Sequence, residues 1–280
     1  MESVFDSSKP SALPIILASP SPHLPHHDSM HRLAATLVAL SLLACVSPTL
    51  DVGVHYGEYS LDGGLGFGSG GISGTTPLRR IGLGDDSPVG ASATVGLGST
   101  MLLFSATTPS FKGSGTFDAN IDIGGVTINQ GADVTSELNI GMYQGLLLFE
   151  IIPGSTVDLA IGLGVNMLDL SGSFTENEGE QKKLSLDQAI PIPVLATRAG
   201  VELGPVGLSA LVTWMGVSYE GSDLDALDLD LRAQMDIFGP MIGYAGYRNT
   251  SLDIFYKDGS DFGDFDVSIS GFYIGTGVSF

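Results

Sequence analysis

Residues 227–237 read LDLDLRAQMDI, so Asp228, Asp230, Arg232, Gln234 and Asp236 occupy every second position, between Leu227, Leu229, Leu231, Ala233, Met235 and Ile237. In a strand that spacing puts carboxylates, guanidinium and amide on one face and the apolar side chains on the other. The same parity in other alternating runs adds Asp158, Arg198, Glu202 and Arg248 to the polar face. Carboxylates facing arginines favour charge-assisted, bidentate pairs. If the apolar face meets lipid, a charge turned outward would cost ~2–4 kcal/mol at the bilayer midplane, which sends the whole set into a lumen. A narrow barrel is filled by its own side chains. The set is therefore expected to plug the interior with ion pairs, ahead of a path for polar solutes.

Catalytic arrangements are sparse. After residue 45 the chain keeps a single histidine, His55, so any Ser-His or Asp-His chemistry would have to run through it. Neither G-x-S-x-G nor H-E-x-x-H occurs. No catalytic residue and no cofactor are expected, and the chain is read as a non-enzyme. Asp85 and Asp86 sit in a Gly-rich polar stretch and read as solvated. The run GFGSGG at 66–71 lacks the Lys-Ser/Thr and the following helix of a phosphate loop. In DGSDFGD, Asp258, Asp261 and Asp264 bring oxygens together at a spacing that suits loose Ca²⁺ contact, and Asp223, Asp225 and Asp228 make a similar weak case. Both read first as ordinary acidic loops, and no metal site is assigned.

Composition narrows the partners. The chain has 280 residues, 31 acidic against 11 basic, and a formal charge of −20. Nucleic acid is a poor partner for such a surface. Yet only 15% of residues are charged, 43% are hydrophobic and 39 are Gly, and the mean hydropathy is +0.29. A disordered acidic chain would be poor in apolar residues.

The one cysteine, Cys45, excludes an intramolecular disulfide. Met30, His31 and Arg32 precede LAATLVALSLLAC, an apolar stretch with the form of a secretory signal and too short to span a bilayer. LLAC at 42–45 looks like a lipobox, which would make Cys45 a lipidation site; cleavage just downstream is the alternative. Residues 1–29 are Pro- and Ser-rich without periodicity, and are expected to be a disordered extension upstream of the true start at Met30. Residues 46–280 would then be the mature domain.

In that domain the apolar period is two nearly everywhere. Alternating runs place strands near 49–61, 91–107, 114–123, 136–152, 156–171, 187–203, 206–220, 225–238, 241–256 and 264–280. Short Gly/Pro turns at 153–155, 203–206 and 238–241 alternate with longer polar connections at 62–90, 172–186 and 257–263, as in outer-membrane barrels. The expectation is an all-β, transmembrane antiparallel barrel of about ten strands, or eight if 114–123 is a rim hairpin. Pro191 and Pro193 should make the start of their strand irregular, and the mixed faces between Met142 and Glu150 suggest a bulge. Tyr143, Phe149, Trp214, Tyr219, Phe238, Tyr244, Tyr247, Phe272 and Phe280 lie toward strand ends, as interfacial girdles require.

The motifs GYAGYR (243–248) with its preceding FGP, DLAIGLGVNMLDLSGSF (158–174), ALVTWMGVSY (210–219) and the terminal GFYIGTGVSF resemble those of a family of small proteobacterial outer-membrane β-barrel proteins over most of residues 50–280. The resemblance implies a Gram-negative outer-membrane location and lipid, lipopolysaccharide and the assembly machinery as partners. It also implies that Tyr273 and Phe280 in the last strand serve as the assembly signal. It supplies no activity. A structural role, small-solute passage or binding is expected. A secreted soluble β-sandwich adhesin, an acidic-loop Ca²⁺-binding surface protein and a barrel enzyme are the alternatives.

Overall fold

The computed structural model describes residues 48–280, apart from 70–71, 119–120, 124–125, 153, 155, 178–182, 220–221 and 259–260. The expected extension (1–29) and signal segment with Cys45 lie outside the described residues.

Alternation builds ten long antiparallel strands: β1 (Thr49–Ser69), β2 (Val89–Leu97), β3 (Thr100–Thr107), β4 (Asp133–Ile152), β5 (Val157–Glu176), β6 (Lys183–Leu203), β7 (Val206–Tyr219), β8 (Ser222–Phe238), β9 (Met241–Asp258) and β10 (Asp261–Ser279). Each pairs with the next, and β10 pairs with β1 from Asp51↔Ser279 to Gly68↔Phe262. Leu50 and Phe280 exchange both backbone N–H···O bonds at 3.0 Å, locking the seam at its base. The sheet is therefore closed, and the two-sheet sandwich is not the fold.

The side chains divide into two zones. In the lower zone the outward positions are apolar: Leu50, Val52, Val54 and Tyr56 on β1, Val157 through Met167 on β5, Phe272 and Ile274 on β10. Ten residues at ~3.4 Å each, tilted by ~40°, span about 26 Å, the height of a lipid-facing band. Above it the pattern inverts without a break in the strands. On β5 the outward Met167 is followed by outward Asp169, Ser171 and Ser173, while Leu168, Leu170 and Phe174 turn inward and are buried. On β1 the outward Tyr56 gives way to Glu58 and Asp62 as Tyr59, Leu61 and Leu65 go inside.

The upper lumen is thus an ordinary apolar core. Leu138, Ile140, Ile192, Val194, Leu252, Val267 and Ile269 fill it. A 3₁₀ turn at Leu78–Ile81 inserts Leu78, Ile81 and the following Leu83 as a cap.

This inversion corrects the expected long loops. Residues 172–176 and 183–186 are strand, and β1, β9 and β10 also run on beyond their expected ends. A polar outer face with an apolar inner one resembles a loop in sequence because its phase is opposite to that of the belt.

The strand count of ten holds with different members. The expected strand 91–107 is two strands, β2 and β3, joined at Gly98, whose φ of 67° permits the tight turn. The expected strand 114–123 does not span. Ser110–Thr116 continues β3 upward along β4, and Ile121–Ile123 pairs antiparallel with Val126–Ile128 in a separate two-stranded sheet.

No register shift falls between Met142 and Glu150, where a bulge was expected; the bulge lies just beyond, at Ile151, between Leu159↔Ile152 and Ala160↔Glu150. Faces mix around Leu146–Leu148 because the lumen there is also apolar.

Pro191 and Pro193 do not delay β6, which pairs with β5 through both, at Met167↔Pro191 and Val165↔Pro193. They instead limit its other edge. Glu202 donates its N–H toward β5, to Thr156 O at 2.8 Å, so the even residues of β6 face β5 and the odd ones face β7. Both proline nitrogens therefore point at β7 and have no hydrogen to donate. The β6–β7 ladder ends at Leu195↔Trp214, although β6 continues to Lys183 and β7 to Tyr219.

Candidate functional site

The polar face read from 227–237 meets residues of four other strands, β9, β4, β10 and β2, in the lumen, just below the apolar core. β8 supplies Asp228 and β9 supplies Arg248, and the two form a buried bidentate pair, Nε to Oδ1 and Nη2 to Oδ2, both at 2.9 Å. The Asp228 side chain is 2% exposed and that of Arg248 8%, so water does little to screen the charges. Asp228 also accepts from Thr250 Oγ1 (2.6 Å) and Gln144 Nε2 (3.2 Å). Gln144 donates to Asn166 Oδ1 (3.1 Å), and Asn166 Nδ2 donates to Thr213 Oγ1 (3.2 Å). One chain of hydrogen bonds thus runs from β9 through β8, β4 and β5 to β7 and crosses the lumen. A partner at each lone pair is what makes a buried carboxylate tolerable.

A second layer lies next to it. Tyr273 donates to Asp230 Oδ1 at 2.6 Å. Arg232 stacks 3.8 Å over the ring of Tyr244 and donates to Ser92 Oγ at 3.2 Å. His55 packs 5.0 Å from Tyr273, its Nε2 3.4 Å from Thr107 Oγ1, while its Nδ1 is buried without a hydrogen-bond partner.

Glycines make room for these rings. A Cβ at Gly246 would lie 2.4 Å from Tyr273, and one at Gly90 would lie 2.2 Å from His55. A cavity of about 40 Å³ separates Tyr59, Ser105, Asp230, Arg232 and His55, enough for two or three waters at ~10–15 Å³ each.

Of the sequence-predicted set, Asp228, Asp230, Arg232 and Arg248 come together here. Asp158 and Arg198 pair with each other lower in the lumen. Glu202 and Asp236 do not join the plug. They share its parity but lie exposed near the short-turn end, where the barrel mouth is wet. Gln234 is half-buried between.

Tyr273 and Phe280 separate by parity: the first belongs to the lumen network, and the second is exposed on the outer face at the base of the seam. Tyr244 likewise faces the lumen instead of joining a girdle. Tyr143, Trp214 and Phe272 are exposed on the outer face near the top of the belt, with Phe149, Phe238 and Phe280 near its base.

Sequence reasoning missed Gln144, Asn166, Thr213 and Thr250, neutral residues whose inward parity was the available signal. Asp85 and Asp86 tie the cap to the wall, accepting from Ser60 Oγ (2.8 Å) and Ser110 N (2.7 Å). Among the described residues no group of three or more His, Cys, Asp or Glu is placed to hold a metal ion. Asp264 faces outward and is half-buried, whereas the side chains of Asp258 and Asp261 fall outside the described ones.

No family model and no curated protein matches the chain in sequence. Its fold does match solved structures. The outer-membrane protease OmpT from Escherichia coli aligns with a TM-score of 0.54 at 8% identity, covering 82% of this chain and 97% of that one. Ail, the attachment invasion locus protein of Yersinia pestis, gives 0.32 at 8% identity over 84% and 99%. OprG from Pseudomonas aeruginosa gives 0.32 at 15% over 82% and 95%. Closed wall, outward apolar belt and the likeness to OmpT define the class: an outer-membrane-type β-barrel of ten antiparallel strands.

Proposed function

We propose that this chain is a plugged outer-membrane barrel of a Gram-negative bacterium, with a structural and surface-binding role and no catalytic one. The observation that carries this is the double closure of its lumen, by the Asp228–Arg248–Gln144–Asn166–Thr213 network and by the apolar core above it. A small-solute path would have to break both. Against catalysis, His55 has Thr107 rather than a carboxylate at its Nε2, and its Nδ1 is unpartnered. The partners are lipid through the belt, the assembly machinery through the last strand, and lipopolysaccharide at the acidic upper wall. There Asp225, Asp253 and Asp266 lie side by side on three strands, where bridging divalent cations would relieve their repulsion.

The test is fractionation of cells expressing the chain from Met30, a gel comparing boiled and unboiled detergent extracts, and planar-bilayer recording. Recovery in the outer membrane, a heat-shifted band and no conductance steps are expected. Release as a soluble species would refute the location, and regular conductance steps would refute the plug.

A further inference from the structure

The wall has a split that the plugged-barrel reading leaves unused. Had β6 and β7 kept their register past Leu195↔Trp214, residues 190–194 would lie opposite 215–219, and that ladder is absent. The rungs Pro193/Gly216 and Pro191/Ser218 would be the hydrogen-bonded ones, because even residues of β7 face β6, as Val206 does across its hairpin to Leu203. Proline removes the β6 donor from both. Its ring also fills the space of the missing hydrogen.

The flanks are apolar: Ile190 and Met215 are half-buried, whereas Ile192 and Val194 belong to the buried core. Ile190, Ile192 and Val194 face inward from β6, and Met215 and Val217 from β7. Val217, although turned to the lumen side, is 49% exposed. The foot of the split is at the top of the belt. Pro193 and Pro191 lie opposite Val165 and Met167, the last apolar outward residues of β5, and Trp214 faces outward at its base.

We propose that this split is a binding cleft for the acyl chain of a lipid in the surrounding outer leaflet. Resting on the membrane reading above, the assignment follows from continuity: the cleft opens onto the belt that lipid already covers. Hydrocarbon suits Ile190, Met215 and Val217, whereas an ester or hydroxyl head group at the interface can bond the backbone of Gly216 and Ser218, which has no partner on β6. The core behind is tightly filled, with about 10 Å³ of free volume between Ile140, Leu168, Leu252 and Val267. The chain therefore stops in the wall and does not traverse the lumen.

Trp214 is the only tryptophan in the sequence, which gives a clean reporter. In the full chain carrying Cys45→Ala, Trp214→Phe and Val217→Trp, refolded into vesicles of chain-brominated phosphatidylcholine, the introduced tryptophan should lose emission as fully as native Trp214 does in the same vesicles. A disulfide staple across the mouth, Val194→Cys with Met215→Cys, should abolish that loss when oxidised and restore it on reduction. A Met215→Trp reporter in the unstapled Cys45→Ala, Trp214→Phe chain should lose emission likewise if the cleft, and not the side chain at 217, is responsible.

Absence of quenching in a barrel that still shows heat-shifted mobility would overturn the cleft while leaving the barrel intact. Quenching that persists with the staple closed would do the same, as would quenching by aqueous iodide alone, which would make the split a wet rim. Quenching by added brominated fatty acid but not by brominated phospholipid would overturn the assigned occupant.

Discussion

Replacing Arg248 with methionine should be among the most damaging single changes in the lower barrel. Methionine keeps much of the side-chain volume but leaves the Asp228 carboxylate charged at 2% exposure, with its two 2.9 Å guanidinium bonds gone and Thr250 and Gln144 as its remaining donors. Breaking a buried pair from one side costs about 3–5 kcal/mol. Asp228→Leu should cost a similar amount by stranding the guanidinium. The double change removes both charges and should cost less than either single one, because two apolar groups of similar shape leave little unsatisfied. The Thr250 hydroxyl and Gln144 amide left behind set the residual penalty. Equilibrium urea unfolding in vesicles, followed by Trp214 emission, gives the three values and hence the coupling energy. A loss below about 1 kcal/mol for Arg248→Met, or additive single changes, would refute the view that this pair closes the lumen as a desolvated unit.

Gly98→Val forces a β-branched residue to a φ of 67° in the β2–β3 turn, and should lower stability in the same urea assay by about 1–2 kcal/mol. Asp253, on the upper outer wall above the belt, has its carboxyl pushed above the ordinary range by partial burial and then by the neighbouring Asp266, Asp264, Asp225 and Asp223. A raised carboxyl favours the folded state when protonated, a contribution fully present below the ordinary Asp pKa of ~3.9 and lost as pH rises through the folded value. Asp253→Asn should therefore raise midpoint stability at neutral pH and flatten its pH dependence in this window, and an unchanged profile would remove the argument. Phe280→Ser should reduce outer-membrane recovery in fractionated cells far more than it lowers the stability of protein refolded in vitro. Equal losses in both would make Phe280 a packing residue alone.

Alternation in the sequence determined the fold class and the direction of the polar face, because a period of two is a local property of each strand and lipid forbids the opposite assignment. Asp228, Asp230, Arg232 and Arg248 could be named as lumen residues on that basis before any contact was known. Closure, partner choice and boundaries are nonlocal. Which carboxylate meets which arginine depends on the register of β8 against β9, and Asp228 reaches Gln144 only because the wall curves round to bring β4 across the lumen. The inversion above the belt was written in the residues, in Leu168 after Met167 and Leu61 after Tyr56, but it read as loop while a single solvent was assumed along each strand. Two environments, lipid below and water above, exchange the apolar face without interrupting the hydrogen bonds. Pro191 and Pro193 show the same division. The sequence says that two donors are missing; only the three-dimensional pairing decides that they are missing toward β7, and so where the β6–β7 ladder ends.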